Sequence, residues 1–216
     1  MAVNPNPRHP ALHTLYIAAT GGGKSQAVKQ SKRAGRVPAR GGRVVFWDVS
    51  EEHHATHYHK RADFVAALKR SAAAASFRIA YVPQGEYPAE WEWFCKVVWA
   101  LLDGDRITYV VGEELSAVCA TVSRAGAAAA QLLNQGRKYG LIFHGTTQRP
   151  QEIAKTYYDA CPIKWIGQQA GAAMQRKMAE QACVRPGDIA ALNQLEFYVH
   201  DGTAAPATKV KLKYKG

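Results

Sequence analysis

The segment 14–25 constrains the fold of this 216-residue chain more than any other part of it. An apolar run at 14–19 leads into the glycines at 21–23, and a polar helical pattern follows from Lys24 to about Gly35. A strand, a glycine-rich turn and a helix in direct succession are typical of a β-α-β unit, whose strands pair in parallel. The segment therefore predicts an α/β fold.

The alternation of strands and helices continues along the chain. Further strands are predicted at 43–48, 77–82, 107–111, 140–146 and 163–166, and further helices at 62–74, 88–102, 122–139, 150–158 and 170–181. At the end the pattern changes to two alternating segments, 196–200 and 208–214, around a turn at Asp201-Gly202. We therefore predict a three-layer α/β sandwich with a mainly parallel sheet and a C-terminal β-hairpin.

Length and composition favour one such domain. With 47% hydrophobic residues, the chain has enough apolar material for one core, which excludes wholesale disorder. We expect residues 1–13, rich in Asn and Pro, to form a mobile N-terminal arm, and residues 14–216 to form a single domain with a helical and hairpin extension from about residue 168. Because no apolar stretch approaches the roughly 20 residues of a membrane helix, we expect no membrane span and no signal peptide.

The net charge points to a polyanionic partner. Lys and Arg number 28 against 17 Asp and Glu, which leaves a charge of +11. Nucleic acid is the commonest partner of such a domain, and acidic lipid is the alternative. The positive side chains concentrate at Lys29, Lys32, Arg33, Arg36, Arg40, Arg43 and the lysines of 209–215. Both segments can face DNA, but a solvated helix face and the protection of an edge strand explain them equally well.

Cysteine and histidine spacing gives no clear metal site. Cys95, Cys119, Cys161 and Cys183 lie far apart without a C-x-x-C pair, which favours free thiols in a reducing cytoplasm. Four histidines crowd one loop beside Glu51 and Glu52, at positions His53, His54, His57 and His59. They could bind Zn²⁺ or Ni²⁺, but we favour an ordinary surface loop near a nucleotide or a pore. We likewise favour core or subunit packing over base stacking for Tyr87, Trp91, Trp93, Phe94 and Trp99.

The glycine-rich turn has the residues that bind nucleotide phosphates. It reads Ala18-Ala19-Thr20-Gly21-Gly22-Gly23-Lys24-Ser25 and fits G-x-x-x-x-G-K-[ST] except for Ala18 at the first glycine. Its backbone N–H groups and the helix N-terminus can surround phosphate oxygens, Lys24 can reach the β- and γ-phosphates, and the Ser25 hydroxyl can ligate Mg²⁺. We expect ATP and Mg²⁺ to be bound by Thr20, Gly21, Gly22, Gly23, Lys24, Ser25 and Gln26. The alternative is an incidental strand-to-helix turn.

Two further strand ends carry polar groups that suit nucleotide hydrolysis. The apolar strand at 107–111 is followed by Glu113 and Glu114, which fit a metal-shell acid and a general base. The strand at 140–146 is followed by Gln148, whose amide could contact the γ-phosphate or the attacking water. The alternatives are two solvated acids at a helix N-terminus and an ordinary turn.

These motifs resemble the FtsK–HerA superfamily of DNA-pumping ATPases. The resemblance lies in A-x-T-G-G-G-K-S, in the paired acids after an apolar strand, and in Gly136-Arg137-Lys138-Tyr139-Gly140 leading to Thr147-Gln148-Arg149-Pro150. It covers roughly residues 14–167 and is greatest to the genome-packaging ATPases of tailless icosahedral viruses with an internal membrane. The resemblance implies a P-loop NTPase core of the additional-strand, catalytic-Glu type, in which the Gln148 strand separates the other two.

The resemblance also implies partners. It implies an active ring, usually of six subunits, with double-stranded DNA through its centre and an arginine of one subunit completing the neighbouring site. A planar, permanently charged guanidinium suits that task. The candidates are Arg137, Arg149, Arg124 and Arg78, of which Arg137 is preferred and Arg149 is the second choice.

The expected function is ATP-driven translocation of double-stranded DNA, most plausibly the packaging of a viral genome into a preformed capsid. Capsid portal or vertex proteins would then be partners, and the protein would be found in the host cytoplasm and at the virion vertex. A bacterial or plasmid translocase is the close alternative. A small-molecule kinase and a non-catalytic nucleic-acid-binding scaffold are alternatives from other classes, although no arginine-rich lid or acceptor pocket of a kinase is evident.

Overall fold

A parallel sheet with an antiparallel edge forms the centre of the protein. The computed structural model describes residues 2–214, so Lys215, the end of the predicted hairpin, and Met1 lie outside the described residues. Within that range the strands are β1 (Thr14–Ile17), β2 (Arg43–Trp47), β3 (Thr56–Tyr58), β4 (Phe77–Tyr81), β5 (Thr108–Gly112), β6 (Leu141–Thr147), β7 (Ile163–Ile166), β8 (Glu196–His200) and β9 (Thr208–Lys211). Their order across the sheet is β3-β4-β2-β5-β6-β1-β7-β8-β9.

Strands β1 to β7 run parallel, whereas β8 and β9 pair antiparallel. The intervening helices are α1 (Lys24–Gln30), α2 (Arg61–Ser71), α3 (Tyr87–Leu101), α4 (Leu115–Val118), α5 (Ala127–Gln135), α6 (Lys155–Ala160), α7 (Ala172–Ala182) and α8 (Pro186–Ala190), with a 3₁₀ turn at Gly136–Tyr139. The predicted mainly parallel sheet and terminal hairpin are confirmed. Strand β3 and helix α8 were not predicted from the sequence.

The helix predicted at 122–139 begins later, because its start is set by a tertiary contact. The Glu92 carboxylate of α3 accepts hydrogen bonds from the backbone N–H groups of Ala128 (2.8 Å) and Ala129 (3.1 Å). These groups have no partner within a helix that begins at Ala127, so a capping carboxylate stabilises the start there. Residue 122 instead lies in a loop, where its carbonyl accepts the N–H of Lys155 (3.0 Å).

Both faces of the sheet are buried, which explains the near-continuous apolar runs of its strands. In β1, Leu15 and Ile17 belong to the larger core cluster, whereas Tyr16 points to the smaller one on the other face. Trp47 packs edge-on against Trp91 with ring centroids 5.2 Å apart. The aromatic side chains of α3 pack in or against the larger cluster, as the core interpretation predicted.

A buried ion pair joins the start of β2 to the end of α3. The Arg43 guanidinium is 1% exposed and donates to the Asp103 carboxylate (2.9 Å) and to two backbone carbonyls. Arg43 therefore lies in the interior and does not contribute to a basic surface. Burial alone would raise the pKa of Asp103, but hydrogen bonds from Arg106 and the positive charges of Arg43 and Arg106 hold that pKa below its usual value.

Replacing Asp103 with asparagine is expected to lower the free energy of unfolding by about 3 kcal/mol, because a buried guanidinium loses its counter-charge. At neutral pH this corresponds to a fall in Tm of roughly 6–12 °C for a domain of this size. Because the pKa of Asp103 is lower in the folded state, its contribution is present at neutral pH and is lost below about pH 4. Thermal melts at pH 7 and pH 3 should therefore show a weaker acid effect in Asp103→Asn than in Asp105→Asn, the exposed neighbouring control. Equal Tm values at pH 7 would contradict the ion pair.

The N-terminal segment lies across the amino ends of the strands. The N–H of Val3 donates to the Leu102 carbonyl (3.3 Å), and that of Asn6 donates to the Lys138 carbonyl (2.6 Å). The mobility predicted for residues 1–13 stays a prediction. Among residues 2–214, no helix is both long enough and apolar enough to cross a membrane.

Candidate active site

A cleft of about 680 Å³ opens at the carboxyl ends of β1, β5 and β6. These strands are neighbours in the sheet, with Ile17 beside Thr147 and Gly112 beside Gly145. Ligands of open α/β sheets bind at this edge, outside the carboxyl ends of the strands. Because β6 lies between β1 and β5, the glutamine strand separates the lysine strand from the acidic strand, as the resemblance implied.

The glycine-rich loop owes its shape to backbone conformations and close contacts that side chains would oppose. Gly21 and Gly23 have φ values of 72° and 98°, in the left-handed region that glycine adopts without strain. A Cβ on Gly22 would lie 2.9 Å from the Cβ of Ala18, which is itself fully buried. The small side chain at position 18 therefore packs against the turn where the usual motif has its first glycine.

Lys24 begins α1 and folds back over the loop. Its Nζ donates to the carbonyls of Ala18 (3.0 Å) and Ala19 (3.4 Å). Burial lowers the pKa of Lys24, while the carboxylates of Glu114 and Glu113 oppose that shift. Lys24, the two glutamates and Gln148 all line the cleft, as do Gly21, Gly23, Ser25 and Gln26. The structure thus brings charged and polar groups of three separate segments together.

The two adjacent glutamates have different surroundings. The Glu113 carboxylate lies 3.0 Å from Nε2 of His53. Glu114 has a φ of 45°, an uncommon value outside glycine and one that is concentrated at functional sites. Its carboxylate accepts hydrogen bonds from the Ser116 hydroxyl (2.6 Å) and from the backbone N–H of Gln148 (3.3 Å). Glu114 is therefore oriented towards β6, and Glu113 towards β2.

Gln148 links the acidic side of the cleft to the phosphate loop. Its side-chain oxygen accepts a hydrogen bond from the Thr20 hydroxyl. Its neighbour Thr146 also contributes, since the Thr146 hydroxyl accepts the backbone N–H of Glu114 (3.2 Å). Motion of β6 relative to the loop would therefore change the contacts of Gln148 and Glu114 together.

The histidine loop is anchored by a carboxylate that sequence reasoning missed. Buried Asp48, directly after β2, accepts the backbone N–H groups of Glu52 and His53 (both 3.1 Å) and bonds Nε2 of His57 (2.8 Å). Burial alone would raise the pKa of Asp48, but these bonds and the nearby His53 lower it below its usual value. His53 is buried, unlike the surface histidine expected from the sequence, and stacks on Phe46.

Ligand atoms of Asp48, His53 and Glu113 lie within 4.8 Å of one another. Both carboxylate oxygens of Asp48, however, already accept hydrogen bonds from this loop. The cluster acts as a hydrogen-bonded support that holds residues 50–55 beside the acidic pair. The signal in the sequence was an aspartate at the carboxyl end of a predicted strand.

Among residues 2–214, the wall of the cleft contains no arginine. Arg137 lies in the 3₁₀ turn before β6, at the opposite end of that strand, and donates to the carbonyls of Pro7 (2.9 Å) and His9. Arg149 is 67% exposed and faces Glu152 at 3.4 Å. Arg78 donates to the carbonyls of His54 and Pro38, whereas Arg124 lies exposed on the loop before α5.

The chain has a relative among phage proteins. No family model matches the sequence. Protein P9 of Pseudoalteromonas phage PM2 is 32% identical over 217 residues, which cover 97% of this chain and 94% of that protein.

Solved structures show the same fold at low identity. The genome packaging NTPase B204 from Sulfolobus turreted icosahedral virus 2, in complex with AMPPCP, matches with a TM-score of 0.73 at 12% identity, over 98% of this chain and 100% of that chain. The bacterial conjugative coupling protein TrwBΔN70 matches with a TM-score of 0.64 at 15% identity, over 98% of this chain and 87% of that chain. The present chain therefore belongs to the same family as Protein P9, and its fold matches that of P-loop NTPases.

Proposed function

We propose that this protein is a Mg²⁺-dependent ATPase that moves double-stranded DNA and that its cargo is a viral genome entering a preformed capsid. The observation that carries the proposal is the meeting of Lys24, Glu114 and Gln148 in one cleft beside a phosphate-binding loop. The net charge of +11 supports a polyanionic partner. The resemblance of the fold to a protein described as a genome packaging NTPase supports the viral role.

The residues at the cleft fit a magnesium–nucleotide complex. Ser25 and Glu113 offer the hydroxyl and carboxylate oxygens that Mg²⁺ prefers, and both line the cleft. When bound there, Mg²⁺ would neutralise phosphate charge. The N–H groups of the loop and the Lys24 ammonium would bind the phosphate oxygens, for which Lys24 exchanges its present carbonyl partners.

Glu114 is the proposed general base. Hydrogen bonds from Ser116 and from the Gln148 backbone fix one of its oxygens, which leaves the other to orient a water and accept its proton. The Gln148 amide, now held by Thr20, would contact the γ-phosphate or that water. Gln148 directly follows β6, which lies between the lysine strand β1 and the acidic strand β5. A contact between its amide and the γ-phosphate would make the position of Gln148 depend on whether that phosphate is present.

The function is tested by measuring phosphate release with no addition, with long double-stranded DNA and with a panel of nucleosides, using Lys24→Ala as the background. We expect turnover that rises with long DNA and not with nucleosides. Phosphate transfer to a nucleoside would indicate a kinase instead. Salt-sensitive DNA binding that Lys24→Ala retains in full, without turnover in either protein, would indicate a scaffold.

The cargo is tested separately from the ATPase. We expect the protein to be recovered from purified virions, together with portal or vertex proteins of the capsid. Absence from virions combined with a requirement for plasmid transfer would assign the protein to the coupling-protein type of translocase instead.

The proposal includes a homo-oligomeric, hexameric ring during activity and locations in the host cytoplasm and at the virion vertex. It also includes a single ATPase domain over 14–216.

Substituting the two glutamates separately is expected to divide their roles. Glu114→Gln should lower kcat about a hundredfold while the affinity for ATP stays within about twofold, because an amide cannot accept the proton. Glu113→Gln should instead raise the Mg²⁺ concentration needed for half-maximal turnover. Magnesium titrations of both variants, with the exposed Glu86→Gln as control, provide the measurement. The opposite pattern would exchange the two roles.

A further inference from the structure

The C-terminal extension reaches back to the phosphate loop. The Gln194 amide donates to the Gly21 carbonyl (2.8 Å), and the N–H of Leu195 donates to the Gly22 carbonyl (3.3 Å). The Leu195 side chain lies so close to Gly23 that a Cβ there would come within 2.5 Å of it. The loop between α8 and β8 is therefore one wall of the nucleotide cleft.

Leu195 is held in this position by the hairpin. Its φ of 64° is rare for a bulky side chain, so the surrounding contacts must maintain it. The Leu195 carbonyl accepts the N–H of Leu212 (2.9 Å), just after β9. The end of the hairpin and the wall of the cleft thus form one hydrogen-bonded unit.

The same unit places an aromatic ring at the rim. Gln30, the last residue of α1, donates its side-chain amide to the carbonyl of Lys213 and so ties residue 213 to the helix. Tyr214 follows, lines the cleft and is 78% exposed. Within residues 2–214, its ring has no aromatic partner and its hydroxyl no hydrogen bond. A large ring that stays in solvent beside a binding cleft is available to a ligand.

The position of the ring along the cleft indicates which part of the ligand it meets. Ser25 and Lys29, four residues apart on α1, both line the cleft, so the cleft follows the helix for one turn of about 6 Å away from the phosphate loop. The acidic pair and Ser50 follow β5 and β2, which lie beyond β6 from the loop after β1. A nucleotide with its phosphates in the loop would therefore extend its base along α1 towards Tyr214.

We infer that Tyr214 stacks on the base of the bound nucleoside triphosphate, with Leu195 as an apolar wall of the same subsite. The inference rests on the proposed function, since it takes the cleft as a nucleotide site. Aromatic rings stack on any base, and the gain grows with ring area, so purine triphosphates should bind better than pyrimidine triphosphates. The C-terminal extension, about which the motifs say nothing, would thus contribute the affinity for the base.

The test compares Tyr214→Ala, Tyr214→Phe and Lys213→Ala with the unsubstituted protein. Both the Kd of a fluorescent ATP analogue and the KM for ATP should rise about tenfold in Tyr214→Ala, while kcat stays within about twofold. Tyr214→Phe keeps the ring and should restore both values to within about twofold. Lys213→Ala removes a neighbouring charge but keeps the carbonyl that binds Gln30, and it should leave both values unchanged.

Unchanged Kd and KM in Tyr214→Ala would overturn the inference, as would an equal loss in Tyr214→Phe. An equal loss in Lys213→Ala would assign the effect to charge and also overturn it. Failure of the proposed function is distinguishable, because the protein would then show no turnover. The Kd comparison would still decide the role of Tyr214 in that case.

Discussion

Replacing Lys24 with alanine is expected to reduce ATP turnover by roughly 10³-fold. The substitution removes the ammonium group of the residue that directly follows the glycine-rich loop and begins α1. In the structure this group is partly buried beside the loop and donates to the carbonyls of Ala18 and Ala19, which it would exchange for phosphate oxygens. Without it, one positive charge fewer would face the γ-phosphate beside the carboxylates of Glu113 and Glu114. Phosphate release at saturating ATP and Mg²⁺ provides the measurement.

Lys32→Ala is the matched control. It removes the same charge from an exposed position shortly after α1 and should leave turnover without DNA within about twofold of the unsubstituted protein. Melting temperatures of both variants show whether the fold is retained. Turnover by a folded Lys24→Ala within about tenfold of the unsubstituted protein would contradict the assignment of this loop as the phosphate site.

The centre of the site was predictable because it depends on one geometric rule. Parallel strands end at a common edge, so polar residues that follow β1, β5 and β6 must meet there wherever their order in the sheet makes them neighbours. Glu114 and Gln148 come within two residues of the ends of β5 and β6, and Lys24 follows β1 after the glycine-rich loop. Local spacing therefore placed each residue at the end of a strand, and the family resemblance supplied the order of the strands.

Other parts of the site depend on contacts between distant segments, which local spacing does not encode. Asp48 holds the histidine loop, and only the folded loop brings His53 to Glu113. The contacts of Gln194 and Leu195 with the glycine loop span more than 170 residues of sequence. Helix α5 begins where Glu92 caps it. Its alanines favour a helix but do not by themselves fix where the helix starts.

Arg137→Ala subunits are expected to lose roughly 10³–10⁵-fold in turnover and to regain a large part of it when mixed with subunits that are inactive for another reason. In its own subunit Arg137 lies before β6, whose length of about 20 Å separates it from Gln148 at the other end. Arg137 is thus too distant to serve the cleft of its own subunit. Within residues 2–214, no arginine lines that cleft. Both facts suit a site that is completed by a neighbour.

Action in the neighbouring site requires Arg137 to leave the carbonyls of Pro7 and His9. The mobility predicted for residues 1–13 would permit this release. Arg137→Lys provides a second variant, because lysine keeps the charge but lacks the planar fork. It should fold with an unchanged Tm and still fail in turnover.

The mixing experiment adds a Lys24→Ala, Glu114→Gln subunit, whose own site is inactive but whose Arg137 is intact, to the Arg137→Ala subunit. In a randomly mixed ring at equal amounts, half of the sites are competent and half of those have a neighbour with an arginine, so recovery should reach roughly a quarter of the unsubstituted rate.

Full activity of Arg137→Ala alone would exclude this residue. Rescue of Arg149→Ala or Arg124→Ala subunits, with no rescue of Arg137→Ala, would assign the role to that arginine and leave the ring itself supported. Because the rescued sites keep their own Lys24 and Glu114, recovery in the mixture can arise only from an arginine supplied across a subunit boundary.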